Sequence, residues 1–213
     1  MFTGLIHGMG LIRERLDRES VSRLIIDVGD WAEEPRLGDS VAVNGCCLTV
    51  ADVGPHRELF FDVIPQTLAR TTLGRLGSGR KVNIEASATP ETVLGGHIVQ
   101  GHVDGVGTVA RVIRQGEYRV VVQVPSELMQ YMVPRGSVAV EGVSLTLAEV
   151  DPRACTFDIA LIPTTLEKTN LSDLEAGDPV NLEADVIAKT VVHYLANYAG
   201  RLDRSGVSGP RGG

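Results

Sequence analysis

The sequence is written twice, and that limits its fold more than any other feature. Gly101-His-Val-Asp-Gly-Val-Gly107 repeats the glycine spacing of Gly4-Leu-Ile-His-Gly-Met-Gly10, 97 positions earlier. The same offset carries Ser40-Val-Ala-Val-Asn-Gly-Cys-Cys-Leu-Thr-Val50 onto Ser137-Val-Ala-Val-Glu-Gly-Val-Ser-Leu-Thr-Leu147. After one inserted residue, at offset 98, Pro65-Gln-Thr-Leu matches Pro163-Thr-Thr-Leu, and Val82-Asn-Ile-Glu-Ala86 matches Val180-Asn-Leu-Glu-Ala184. Four matches in one order with one slip describe a duplicated domain, so the 213 residues divide into two units rather than one. Each copy, at roughly 90 residues, is large enough for a small core of its own.

Within each copy the pattern is that of short strands. Leu24-Ile-Ile-Asp-Val28, Ser40-Val-Ala-Val43, Cys47-Leu-Thr-Val50 and Leu59-Phe-Phe-Asp-Val-Ile64 are rich in β-branched or aromatic residues and bounded by Gly, Pro or Asp. Asn44-Gly45 is a favoured two-residue hairpin turn, and Glu141-Gly142 keeps the glycine that reaches positive φ. Several strands at this spacing predict a mainly β chain of two tandem homologous closed barrels.

Interruptions starting at Pro65 and Pro163 read as helices running to Leu73 and Leu171, because proline suits a first helical turn. Ser126 to Met132 reads as a third, with Ser126 as N-cap. At the matching place in the first copy, Pro35 shortens any helix in Asp30 to Arg36. Residues 87–95 form a polar joint, which divides the chain into 1–96 and 97–185. Beyond it, Ile187, Val191, Tyr194, Leu195 and Tyr198 recur at helical spacing with no counterpart in the first half. That stripe predicts a helix over 186–202 packed on a barrel or on another subunit. Residues 203–213 have almost nothing to bury and are expected to be disordered.

Composition removes several classes of function. A formal charge of −7 and 4% aromatic residues argue against a nucleic-acid groove, which needs a basic stripe and stacking rings. No apolar run reaches membrane-spanning length, and Met1-Phe-Thr-Gly4 does not read as a signal segment. Three cysteines, two of them adjacent, do not suit a disulfide framework and point to a reducing cytoplasm.

The duplication also sorts the chemistry-bearing residues. Cys46 pairs with Val143, so an apolar residue suffices there. Cys47 pairs with Ser144, so both copies place a hydrogen-bonding, potentially nucleophilic group. Thr49 and Thr146 lie two residues on and share that strand face. Two related pockets are one reading; barrel-interior polar residues or a buried small cysteine are the plainer ones. His102 faces only Leu5 across the repeat, and Asp185 only Ser87, which suggests that the copies do different work. His97 and His102 make a poor metal pair because no third and fourth ligand recur nearby. No Gly-x-Ser-x-Gly elbow and no dinucleotide fingerprint is present.

Met1-Phe-Thr-Gly4, Val43-Asn-Gly-Cys-Cys-Leu-Thr-Val50, Gly95-Gly-His-Ile-Val-Gln-Gly-His102, Glu141-Gly-Val-Ser-Leu-Thr146 and Leu161-Ile-Pro-Thr-Thr-Leu166 together resemble the α chain of riboflavin synthase, over nearly the whole chain to Asp185. The resemblance implies two six-stranded Greek-key lumazine-binding barrels followed by a C-terminal trimerisation helix. It also implies a homotrimer with active sites between neighbouring subunits, association with lumazine synthase, and no cofactor or metal. The implied reaction is a dismutation of 6,7-dimethyl-8-ribityllumazine, one molecule giving a four-carbon unit to another. A non-catalytic lumazine- or flavin-binding antenna protein on the same barrels is the rival reading.

Carried over by motif, Gly4, Leu5 and Ile6 would line the N-barrel site with Ser40, Cys47, Leu48 and Thr49, completed by Asp62, Val63, Ile64, Pro65, Gln66 and Thr67. Gly101, His102 and Val103 would line the C-barrel site with Ser144, Leu145 and Thr146, completed by Ala160, Leu161, Ile162, Pro163, Thr164 and Thr165. Phe2 would pack near the reacting rings, and Arg135 stands where the family has a lysine. His102 would move the proton of the acidic 7-methyl group. Cys47, Ser144, Thr146 or a bound water would be the nucleophile, with Asp185 orienting the set.

Overall fold

Strict alternation of side chains builds the barrels, as one strand shows. Cys46, Leu48 and Val50 are buried, while Cys47 and Thr49 between them lie on the outer face. The computed structural model describes residues 1–199, so the expected end of the last helix at 200–202 and the expected disordered tail at 203–213 lie outside the described residues.

The first barrel consists of β1 (Gly8–Asp17), β2 (Ser22–Asp27), β3 (Ser40–Val43), β4 (Cys46–Val53), β5 (Glu58–Val63) and β6 (Lys81–Ala86). They close in the order β1-β2-β5-β4-β3-β6, all antiparallel. The second consists of β7 (Gly105–Ile113), β8 (Arg119–Gln123), β9 (Ser137–Val140), β10 (Val143–Asp151), β11 (Thr156–Ala160) and β12 (Pro179–Ala184). It closes in the same cyclic order, β7-β8-β11-β10-β9-β12. Closure removes the sheet edges that twelve short strands would otherwise expose. Register shifts fall at equivalent places, Ile12/Glu14 with Val109/Arg111 and Val50/Asp52 with Leu147/Glu149, where long strands bend round the barrel. Each barrel is filled by its own core, around Phe61, Ile26 and Leu59 in the first and Phe157, Ile159 and Leu147 in the second.

The helices are shorter than their patterns suggest. α1 (Pro65–Arg70) and α2 (Pro163–Lys168) stop before Thr71 and Thr169, which are extended, and one 3-10 turn follows each. Both threonine hydroxyls donate to the carbonyl four residues back, at Thr67 and Thr165, which closes the helix end. The helix expected over Ser126–Met132 is reduced to a 3-10 turn at Met129–Tyr131, so Ser126 is not its N-cap. Its bonds run three residues back: Leu128 N to Pro125 O, Met129 N to Ser126 O, Tyr131 N to Leu128 O. So short a segment has too few bonds to offset helix nucleation, and the turn instead tucks Leu128, Met129 and Met132 into the second core. α3 (Val186–Asn197) begins with Asp185, whose Oδ1 accepts from Ile187 N at 2.8 Å. Lys189 on α3 grips Asp104 at 2.9 Å, and the Asp104 carboxylate also accepts from Ala184 N, fixing the helix to the end of the second barrel. No described helix is long and apolar enough to cross a membrane.

The two barrels meet through reciprocal contacts, as identical subunits do across a two-fold axis. Phe2 and Val99, equivalent in the repeat, pair with each other, and they are buried with Ala42 and Ala139, also equivalent. The hairpin turns touch at Gly45 and Gly142, where an added Cβ on Gly45 would stand 2.8 Å from Gly142 Cα. Asn83 Nδ2 donates to Glu141 O at 2.9 Å, and Asn181 Nδ2 to Asn44 O at 2.9 Å. Thr72 N donates to Asn181 Oδ1, and Asn170 N to Asn83 Oδ1. Each of these bonds therefore has a mirror-equivalent across the seam, which is how so many buried polar groups become tolerable there.

Candidate functional site

Two outward faces flank the seam. On β4 the face carries Cys47 and Thr49; on β10 it carries Ser144 and Thr146, with Ser144 opposite Ala139 and Thr146 opposite Ser137. The polar pairs therefore line the outside of the barrels, and the barrel-interior reading does not hold. Cys46, on the inner face, has its thiol pushed up to about 12 by burial, which makes it an inert core residue. Beside each polar pair stands an exposed apolar wall. Ile64 is 50% and Ile162 64% exposed, each in extended conformation immediately before a helix-starting proline. Exposed isoleucines at equivalent places mark surfaces meant to be covered.

The leading segment of each copy crosses to the other barrel. Gly4 O accepts from Ser144 N at 2.8 Å, and Gly101 O accepts from Cys47 N at 2.8 Å. Ile6 packs on the second core and Val103 on the first. The partition expected from sequence is thus exchanged: Gly4, Leu5 and Ile6 belong with Ser144, and Gly101, His102 and Val103 belong with Cys47. The glutamates hold the crossing. Glu85 accepts from Thr3 N, Thr3 Oγ1 and Gly4 N, and Glu183 accepts from Gln100 N, Gly101 N and His102 N. Burial raises both carboxyls above the usual range, against the pull of these donors. Gly101 must be glycine: its φ is +79°, and a Cβ would lie 2.6 Å from Cys47 Cβ.

The exchange regroups the catalytic candidates. His102, exposed and held through its backbone, lies in the run along the Cys47–Thr49 face and not with Ser144. The histidine beside Ser144 is His97, whose Nδ1 is 2.7 Å from Ser144 Oγ. His97 is 8% exposed, and its Nε2 is buried with no partner among the described residues. Burial lowers its pKa below the ordinary value, while the charge of Asp185 pulls the other way, so the imidazole is neutral near pH 7. A neutral imidazole on a hydroxyl is a base–nucleophile arrangement. Asp185 has two jobs here, capping α3 and biasing His97.

Sequence comparison missed His97 because its repeat-equivalent position would precede Met1, leaving nothing to compare. Gly96 gives the only other signal: a Cβ there would meet Thr3 O at 2.2 Å and Ser144 Cβ at 2.9 Å, so the Gly-Gly-His run lies pressed over Ser144.

Other expected residues are placed less directly. Phe2 is fully buried in the seam beneath Cys47 and Gly101 and reaches a ligand only through them. Leu48, Val63 and Leu161 point into the cores, so only their backbone is open to a ligand. Asp62 is exposed and bound through both oxygens by Arg23, at 2.8 Å each, which lowers its pKa. Ser40 is half-buried opposite Thr49 on β3. Pro65, Gln66 and Thr67, like Pro163, Thr164 and Thr165, form the first turns of α1 and α2 beside the isoleucines. Leu5, Ala160 and Thr146 sit on or beside the second face, all at least partly exposed, whereas Leu145 turns inward from β10 and packs half-buried against the second core. Arg135 is exposed at φ +65°. Among the described residues no group of three or more His, Cys, Asp or Glu could hold a metal ion.

The lumazine binding domain family matches this chain twice, over residues 3–87 and 100–185. A riboflavin synthase of Mycobacterium tuberculosis is 41% identical over 197 residues, covering 92% of this chain and 98% of that one. The riboflavin synthase of Bacillus subtilis is 38% identical over 197 residues, with 92% and 90% covered. Among solved structures, LumP complexed with riboflavin superposes with a TM-score of 0.78 at 29% identity, covering 86% of this chain and 99% of that one. LumP complexed with 6,7-dimethyl-8-(1'-D-ribityl) lumazine gives 0.77 at 27%, with 86% and 99% covered.

Proposed function

The chain belongs to the riboflavin synthase family, and from that premise we propose that it converts two molecules of 6,7-dimethyl-8-ribityllumazine into riboflavin and 5-amino-6-ribitylamino-pyrimidinedione. One observation carries the reading: the two equivalent faces are built alike but bear different polar groups. The first has Cys47, Thr49 and the run containing His102; the second has Ser144, Thr146 and the His97 hydrogen bond. A reaction that uses the same molecule as donor and as acceptor needs such a pair of related, unequal sites.

Each face takes one lumazine, its rings against Ile64 or Ile162 and its polar edge on the strand and helix-start backbone. On the second face His97 takes the proton of Ser144, whose oxygen, or a water in its place, adds to the ring carbon bearing the 7-methyl group. On the first face His102 removes the acidic 7-methyl proton, and the resulting carbanion attacks the partner ring. Arg135 supplies a cation near the ligand in place of the family lysine. The protein's main contribution is to hold two rings face to face, worth up to about 7–11 kcal/mol of barrel-held proximity in well-oriented systems.

Within one chain the two faces are related by the reciprocal seam, and the middle of that seam is filled by Phe2, Val99, Ala42 and Ala139. Two ligands therefore cannot stack there. We place the complete centre between chains, the Cys47–Thr49 face of one, with its Gly101–Val103 run, against the Ser144–Thr146 face of another, with its Gly4–Ile6 run, in a homotrimer. The α3 stripe supports this: Ile187, Val191, Tyr194, Leu195 and Tyr198 are all 44% exposed or more. Association with lumazine synthase and a cytoplasmic location belong to the same proposal. The decisive experiment is an assay of lumazine consumption against riboflavin formation, expected at two to one. Lumazine that binds tightly without being consumed would leave only the antenna reading.

A further inference from the structure

At the end of the seam where the hairpin turns meet there is a cavity of about 590 Å³ that shares no residue with the two faces. Its size is within the common range for small-molecule sites. Its floor is polar and deeply buried: Asn44 is 1% exposed, Thr72 2% and Glu141 4%. Asn44 Oδ1 accepts from both Asn83 N and Asn170 Nδ2, which leaves the Asn44 amide NH₂ without a hydrogen bond among the described residues. Asn170 closes the floor on the second-barrel side.

The rim is charged and unsymmetrical. Arg75 and Arg80 come from the first copy, and their repeat equivalents are Asp173 and Asp178. If this edge served only to bind the barrels together, the arginines would sit on the aspartates. They do not. Lys81 takes Asp173 at 3.2 Å, and Asp178 is turned inward to accept from Glu175 N. Neither Arg75 nor Arg80 has a carboxylate or hydrogen-bond partner for its side chain among the described residues. Two unpaired guanidinium groups above a floor with an unused amide donor form a recognition pattern, because forked N–H donors match the oxygens of a phosphate. No aromatic side chain lines the cavity, so a planar base has nothing to stack on.

We propose that this cavity binds a small sugar phosphate, its phosphate on Arg75 and Arg80 and its hydroxyls on the Asn44–Glu141 floor. Hydroxyls act as donor and acceptor at once, which suits a floor of amide and carboxyl groups. The site is separate from the lumazine faces and stands or falls independently of the reaction proposed above.

Calorimetric titration of the full chain with ribose 5-phosphate, ribose and inorganic phosphate tests this. Ribose 5-phosphate is expected to bind saturably, one per chain, and to remain bound when lumazine is in excess. Arg75→Ala with Arg80→Ala should weaken it at least about tenfold. Asp178→Asn, which removes a negative charge from the rim, should tighten it. Both arginines are exposed and unbonded, so the double variant should keep its thermal midpoint and its rate of riboflavin formation. No saturable binding up to about 10 mM, a level at which any interaction is negligible, overturns the proposal. Binding unchanged in the double variant, or displacement by lumazine, does the same. Inorganic phosphate binding as tightly as ribose 5-phosphate overturns the sugar-phosphate class.

Discussion

Replacing Glu141 by Gln should make the protein more stable at alkaline pH and leave it nearly unchanged in acid. Glu141 is buried in the seam, where Oε1 accepts from Asn181 N at 2.6 Å and from Thr72 Oγ1 at 3.2 Å. Burial outweighs these bonds and raises its carboxyl from 4.5 to about 7. Below the unfolded value both states carry the proton, so the group adds no pH dependence. As pH rises from 4.5 towards 7 the unfolded chain loses the proton while the folded chain keeps it, and stability falls. Above about 7 the loss is complete. A shift of this size, at 1.36 kcal/mol per unit, amounts to about 3 kcal/mol. Gln keeps an oxygen for Asn181 and Thr72 and has no proton to lose. Urea unfolding of both proteins at about pH 5 and about pH 8.5, with equal m-values, should show near-equal stability in acid and a variant about 2–3 kcal/mol more stable in alkali. Glu85 and Glu183 tilt both curves alike, since their carboxyls are also raised, so the difference isolates Glu141. A difference that stayed constant across this range would refute the reasoning.

Four other outcomes follow from the two faces and from α3. In a pH profile of kcat/KM, the acid limb set by His97 should lie below the ordinary histidine value of 6.5, because burial lowers its pKa; it should vanish in His97→Gln, and a limb above that value would count against a neutral His97. Ser144→Ala and His97→Gln should each reduce kcat by about 10²-fold or more, and the double variant by little more than either, as for groups that act as a unit. Gly101→Ala forces a Cβ to 2.6 Å from that of Cys47 at positive φ; denaturant titration should show a loss of about 1–3 kcal/mol together with weakened lumazine binding. Val191→Asp on α3 should leave the circular dichroism of the barrels intact and shift sedimentation to monomer; a variant still trimeric would remove the helix from the interface.

Much of this protein was legible in one dimension. The offset of 97 predicted two barrels of like topology, because a duplicated pattern of alternating residues can only bury its apolar face in a duplicated fold. The Cys46/Val143 and Cys47/Ser144 pairs put an apolar and a polar group on opposite faces of β4 and β10, since on a strand parity alone sets direction, and the structure turned the polar face outward. The apolar period after Asp185 predicted α3 for the same kind of reason. Local spacing says nothing, however, about which barrel a leading segment will rest on. Gly4 against Ser144 and Gly101 against Cys47 are contacts across a seam between copies, and a sequence in which both copies carry the same glycines is compatible with either partition. The tertiary structure decided it, through the buried carboxylates Glu85 and Glu183 that hold each crossing by three donors. The same crossing brings His97 to Ser144 from 47 residues away and leaves His102 with Cys47. Side-chain parity is a property of the chain, whereas partnership between distant residues exists only once burial and hydrogen bonding have chosen one packing of the two barrels.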